Sequence, residues 1–201
     1  MKKWVYISAD YDENSGDQDV IKQLKKWSDD DRFKVTFTDT AQVASGSVSK
    51  DSDCRACDLK EEFNKQINAS SSVIIIIGDR TRFRTAGDIC PRTTNGQSTS
   101  ECTPYKGYTR KLCKISVRPS SDGDDISKVN TYSYIRHEFE QAKKRGKNIV
   151  VIYNSLNNMS SWLPSYMNDY KDVAHPFWKK NDKGEKVGDY EFIKKALGFD
   201  D

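Results

Sequence analysis

Two rhythms of apolar and polar positions take turns along this chain, one with the period of a strand and one with the period of a helix. Residues 4–8 (Trp-Val-Tyr-Ile-Ser) open with a short apolar run that reads as a strand. The polar stretch 9–14 breaks it and reads as a loop. From Asp17, placed to cap a helix, the residues Val20, Ile21, Leu24 and Trp27 recur at helical spacing. Residues 33–37 alternate with period two, as an edge strand does. A loop rich in Ser, Thr, Asp and Gly covers 38–53. Leu59, Phe63 and Ile67 then mark a second helix. Val73 to Ile77 is the strongest strand of the chain. It shows no polar alternation, so both of its faces should be buried, as in a central parallel strand.

The rhythm is interrupted over 85–130, a segment rich in Gly, Ser, Thr, Pro and Cys with one strand around Leu112 to Val117. It resumes with an amphipathic helix from Tyr134, a Gly146-Lys147-Asn148 turn and an apolar strand over 149–153. The tail ends in a helix using Tyr190, Ile193 and Leu197. Strands alternating with helices predict an α/β fold with a parallel sheet and helices on both faces. Right-handed crossovers around one central strand give an order of about 2-1-3-4, a flavodoxin-like sheet. The chain of 201 residues suits one domain over 1–201. In this reading 85–130 is an insertion and 156–201 a C-terminal extension of the same domain. Ligands of such sheets bind beyond the carboxyl ends of the strands where the strand order reverses. Here that point lies between the first and third strands, with Ser8, Asp10 and Tyr11 on one lip and Gly78, Asp79 and Arg80 on the other.

Charge and composition narrow the function classes. The 33 Lys and Arg against 30 Asp and Glu leave a formal charge of +3, with both signs interspersed. There is no basic block of the kind that follows a phosphate backbone, so nothing points to nucleic acid. No apolar run approaches the length of a membrane-spanning helix. The first residues enter a strand pattern directly, without the apolar region of a secretory signal, and the expected location is the cytoplasm. In that compartment the five cysteines are thiols or metal ligands rather than disulfides. Cys54 and Cys57 form a Cys-x-x-Cys pair, and Cys90, Cys102 and Cys113 fall within the insertion. Four thiolates would make a closed structural zinc site able to pin a segment with little core of its own; reduced free thiols are the alternative. A long insertion in a compact domain is typically a lid or a partner surface.

In the helix that starts at Tyr134, Glu138 comes three residues after Ile135 and four before Ala142, beside the apolar stripe. This helix, which carries one acid towards a sheet crevice, is read together with two other segments. The first segment is the opening strand running into Ile7-Ser8-Ala9-Asp10-Tyr11-Asp12. The second is Ser71-Ser72-Val73 through Gly78-Asp79-Arg80-Thr81. The third is Tyr134-Ile135-Arg136-His137-Glu138 followed by Ala142, Gly146 and Lys147. Together these segments resemble the TIR-like domains of the Thoeris antiphage-defence type, the NAD-consuming component, whose third segment reads Trp-Val-Arg-Tyr-Glu-Ile and then a Gly-Lys turn. This chain has Tyr134 for the Trp and His137 for the Tyr, and it adds the insertion. The similarity covers roughly 1–80 and 131–155.

The resemblance implies an NAD+ glycohydrolase or cyclase that uses NAD+ as substrate and needs no prosthetic group. It also implies an ADP-ribose-type product, a partner protein that senses that product, and self-association of the domain. One acid suffices for such chemistry: nicotinamide leaves a pyridinium as a neutral base, so no general acid is required, unlike ordinary glycosidases. A single carboxylate can hold the ribose hydroxyls and steady the developing sugar cation, or attack it. The resemblance places Glu138 in that catalytic role. Ser8, Asp10, Tyr11, Asp39, Asp79, Arg80 and Tyr134 become candidates to contact the nucleotide. Each also has an ordinary role: Ser8 as a cap, Asp10 and Asp39 in turns, Arg80 on the surface, Tyr134 in the core. The rival reading is a non-catalytic TIR-like adaptor that binds copies of its own fold.

Overall fold

The computed structural model describes residues 3–10, 16–29, 35–39, 55–84, 101–102, 111–112 and 133–199. The apolar run at the start forms β1 (Lys3–Ser8), and the helical stripe after it forms α1 (Asp17–Ser28). They are followed by β2 (Val35–Asp39), α2 (Arg55–Ala69) and β3 (Ser72–Ile77). Two short strands, β4 (Glu101–Cys102) and β5 (Lys111–Leu112), pair antiparallel apart from the main sheet. Then come α3 (Tyr134–Lys144), β6 (Asn148–Tyr153), β7 (His175–Pro176), β8 (Trp178–Lys180), β9 (Lys186–Gly188) and α4 (Tyr190–Ala196).

The main sheet has five strands in the order β2-β1-β3-β6-β7, and every pairing within it is parallel. This is a flavodoxin-like α/β fold. The four-strand order expected from the sequence is present and gains a fifth, two-residue edge strand, β7. β3 is central and all six of its residues are buried, which is why its sequence lacks a polar face. Alternate residues of the inner strands feed two separate cores. Val5, Ile7, Ile74, Ile76, Val150 and Ile152 face α1 and α4. Tyr6, Val73, Ile75, Ile77, Val151 and Tyr153 face α2 and α3.

Polar clamps fix the helix ends. At the amino-terminal edge of the sheet, the Lys147 ammonium donates to the carbonyl oxygens of Asn68 and Ser70, both at 2.7 Å, and so closes the end of α2. Burial, and then nearby Arg145, hold the Lys147 pKa below its ordinary value. Gln141 donates to the Asn68 side chain at 2.9 Å and ties α3 to α2. The sequence expectation for the start of α1 needs a correction. Gly16, with φ of 76°, takes the capping position, and Asp17 is the first helical residue. A positive φ suits glycine, which has no Cβ to clash. The Asp17 side chain is buried and accepts a 2.6 Å hydrogen bond from the Asn154 amide, just beyond β6.

The strand expected around Leu112 to Val117 is represented by β5, which ends at Leu112; residues 113–117 lie outside the described ones. The helix expected from Tyr190, Ile193 and Leu197 is α4, with Leu197 at its C-cap. No helix among the described residues is long and apolar enough to cross a membrane.

Candidate active site

The strand order reverses at β1, which has β2 on one side and β3 on the other. β1 ends at Ser8. α3 runs back down the sheet before β6, so its first turns lie at the carboxyl-terminal edge. Ser133 caps this helix, its hydroxyl accepting from the Arg136 amide at 3.1 Å. Glu138, in the second turn, thereby reaches the end of β1. Its carboxylate is completely buried, with 0% exposure. The Tyr6 hydroxyl donates to Oε1 at 2.7 Å and the Ser8 hydroxyl donates to Oε2. Each carboxylate oxygen thus accepts from a hydroxyl on the same face of β1.

No family model, curated protein or solved structure matches the chain. The chemistry of the site therefore rests on its own geometry.

Of the candidates expected from the sequence, Ser8 and Glu138 are brought together, through a hydrogen bond between them. Tyr6 was not singled out by that reading, although a signal for it exists. Residues i and i+2 of a strand share a face, so a strand that offers Ser8 to the crevice offers Tyr6 beside it. Tyr134, one helical turn before Glu138, is half-buried and meets the Phe63 ring edge-on, with centroids 5.6 Å apart. That is a packing role. Tyr166 lies beside the same turn, with the Arg136 guanidinium 5.2 Å from its ring centroid. Burial pushes its phenol up to about 12, with the Glu138 charge adding to the rise and the Ser133 hydroxyl and Arg136 opposing it. His137 is buried on α3, next to Glu138 in sequence but about 100° around the helix.

The remaining candidates divide. Asp10 forms an ion pair with Arg84 at 2.7 Å. This pair joins the segment after β1 to the segment after β3, across the point where the strand order reverses. Asp39, at the end of β2, is buried and paired with Lys25 of α1, so it fastens that helix to the sheet. Asp79 and Arg80 are exposed in the turn after β3, where the Gly78 amide donates to Thr81 Oγ1 at 2.9 Å. Tyr11 lies outside the described residues. So do Cys54, Cys90 and Cys113. Cys57 and Cys102 are described only as positions in α2 and β4. No cluster of His, Cys, Asp and Glu able to hold a metal occurs among the described residues.

Proposed function

We propose that this chain is a TIR-like domain that cleaves NAD+ at the bond between ribose and nicotinamide. The product is an ADP-ribose-type nucleotide, linear or cyclic, which a separate effector protein senses in antiphage defence. The observation that carries this reading is Glu138, an acid held at the carboxyl edge of β1 where the sheet order reverses. Both of its oxygens accept from hydroxyls, one each from Tyr6 and Ser8. A ribose 2′,3′-diol offers the same pair of donors. Substrate entry then amounts to exchanging protein hydroxyls for sugar hydroxyls on one carboxylate. Once bound, that carboxylate stabilises the sugar cation as neutral nicotinamide leaves. The carboxylate has no solvent contact in the form described, so turnover requires a form in which substrate can reach Glu138.

That same burial favours a second reading. Here Glu138 only ties β1 to α3, and the domain is a TIR-like module that associates with copies of itself. Nicotinamide release from NAD+ by the purified protein, measured beside Glu138→Gln over a range of protein concentrations, decides between them. Gln keeps the size of the side chain and an oxygen for Tyr6, so the variant retains its melting temperature to within a few degrees. Release by the wild type and none by the folded variant supports the enzyme. Equal release by both removes Glu138 from the chemistry. Concentration-dependent assembly without turnover in either protein supports the module.

A further inference from the structure

A second concave site lies at the opposite side of the sheet. β7 is three strands from β1, about 14 Å at ordinary strand spacing. β7 pairs with the end of β6, placing His175 and Pro176 beside Ile152 and Tyr153 at the carboxyl edge. The chain then turns into the β8–β9 hairpin. That hairpin is locked down by backbone bonds from Phe177 to Tyr153 at 2.8 Å and from Asp189 to Phe177 at 2.7 Å. The result is a groove of about 490 Å³ whose lining includes His175, Pro176, Trp178, Lys179, Lys180 and Asp189. That volume is within the range of small-molecule sites.

The side chains of this groove are held in place. Asp189 caps α4 and accepts from the Phe192 amide at 3.3 Å. It also accepts from the Lys179 ammonium at 2.8 Å and lies 3.2 Å from His175 Nε2. The His175 ring is stacked on Phe192, with centroids 3.9 Å apart and planes 16° from parallel. Its side chain is nonetheless 40% exposed. Phe192 covers one face of the imidazole, and part of the ring is left exposed. Trp178 forms a rigid wall, 8% exposed, between the Phe177 ring and the Lys186 ammonium. Asp189 accounts for the charge of Lys179. Lys180 is exposed and has no ion-pair partner among the described residues. The groove therefore combines a fixed, partly exposed ring stack with surplus positive charge.

We propose that this groove is a second ligand site, separate from Glu138, which takes a small anionic ligand bearing a planar ring, of mononucleotide chemistry. The ligand ring extends the Phe192–His175 stack on the side away from Phe192, and the phosphate sits on Lys180 with Lys179 beside it. Stacking supplies affinity without demanding a particular base, because every base presents a π face. Fixing His175 in advance through Asp189 and Phe192 reduces the ordering cost of binding.

The test titrates the full chain with AMP, with adenosine (ring without phosphate) and with inorganic phosphate, following the histidine ring signals by NMR. The protein has two histidines, so His175 reports on the groove and the buried His137, next to Glu138, reports separately on the first site. Saturable movement of the His175 signals with AMP, at or below about millimolar concentration, is expected. His175→Ala should weaken AMP binding by about tenfold or more, the scale of one lost ring stack. Lys180→Gln, a surface change that leaves folding intact, should weaken AMP but leave adenosine unchanged. Unmoved His175 signals in AMP overturn the proposal, as does equal weakening of AMP and adenosine by Lys180→Gln. Glu138→Gln should bind AMP here as the wild type does, so the two sites can fail independently.

Discussion

Removing one oxygen atom tests the geometry around Glu138. Tyr6→Phe deletes the hydroxyl that donates to Oε1 at 2.7 Å and changes nothing else in the ring. Both residues are fully buried, so water cannot replace the lost donor. A hydrogen bond to a charged group contributes about 1.5–3 kcal/mol, and that is the expected loss of stability. For a chain of this length each kcal/mol shifts the melting temperature by about 2–4 °C, so a fall of roughly 3–12 °C is expected. Other effects of the substitution are separated by a cycle with Glu138→Met, which fills the space with an apolar chain. In that background the Tyr6 hydroxyl has lost this acceptor, and Tyr6→Phe should cost little or even stabilise. Urea unfolding of the four proteins gives the coupling energy, expected at about 1.5–3 kcal/mol. Additive losses, within about 0.5 kcal/mol, would refute the reasoning, because they would mean that the two groups do not interact in solution.

Three further outcomes follow from the packing. Lys147→Met removes both donations to the end of α2 and should cost about 1–3 kcal/mol in urea unfolding. A methyl group at Gly188 would lie 2.8 Å from the Trp27 ring and 3.1 Å from Phe177, so Gly188→Ala should destabilise by about 1–3 kcal/mol, read from the denaturation midpoint. Asp189→Ala should cost about 1–2 kcal/mol through the lost cap of α4. Burial works to raise the Asp189 pKa, but Lys179, the Phe192 amide and His175 outweigh it and hold the carboxyl below its ordinary value. Its stabilisation is therefore complete above the unfolded carboxylate range and is lost as pH falls through the folded value. Thermal melts across the acid range should show that loss in the wild type and a smaller one in Asp189→Asn.

The parts of the fold legible in the sequence are those in which one element's pattern settles its environment. Val73 to Ile77 has no polar face, and β3 is central. Ile135, Phe139 and Ala142 follow one stripe, and α3 buries it. Glu138 was legible for the same reason, since its position beside that stripe turns it inward. What escaped depends on pairs distant in sequence. Asp39 read as a turn residue, because nothing local announces Lys25 on the neighbouring helix. Tyr6 read as strand core, because its acceptor lies 132 positions away. The strands β7 to β9 have two or three residues each, too few to show a period. With them the groove around His175 went unread.

The bond between Asp17 and Asn154 has a consequence for any nucleotide that approaches this sheet. The first turn of α1 carries the positive end of that helix's dipole, where open amides commonly receive a phosphate. Here a carboxylate already occupies that turn, anchored from beyond β6. An incoming diphosphate would meet like charge at the mouth of α1. In the NAD+ complex proposed above, the sugar rather than the diphosphate would therefore be the handle at this end of the sheet.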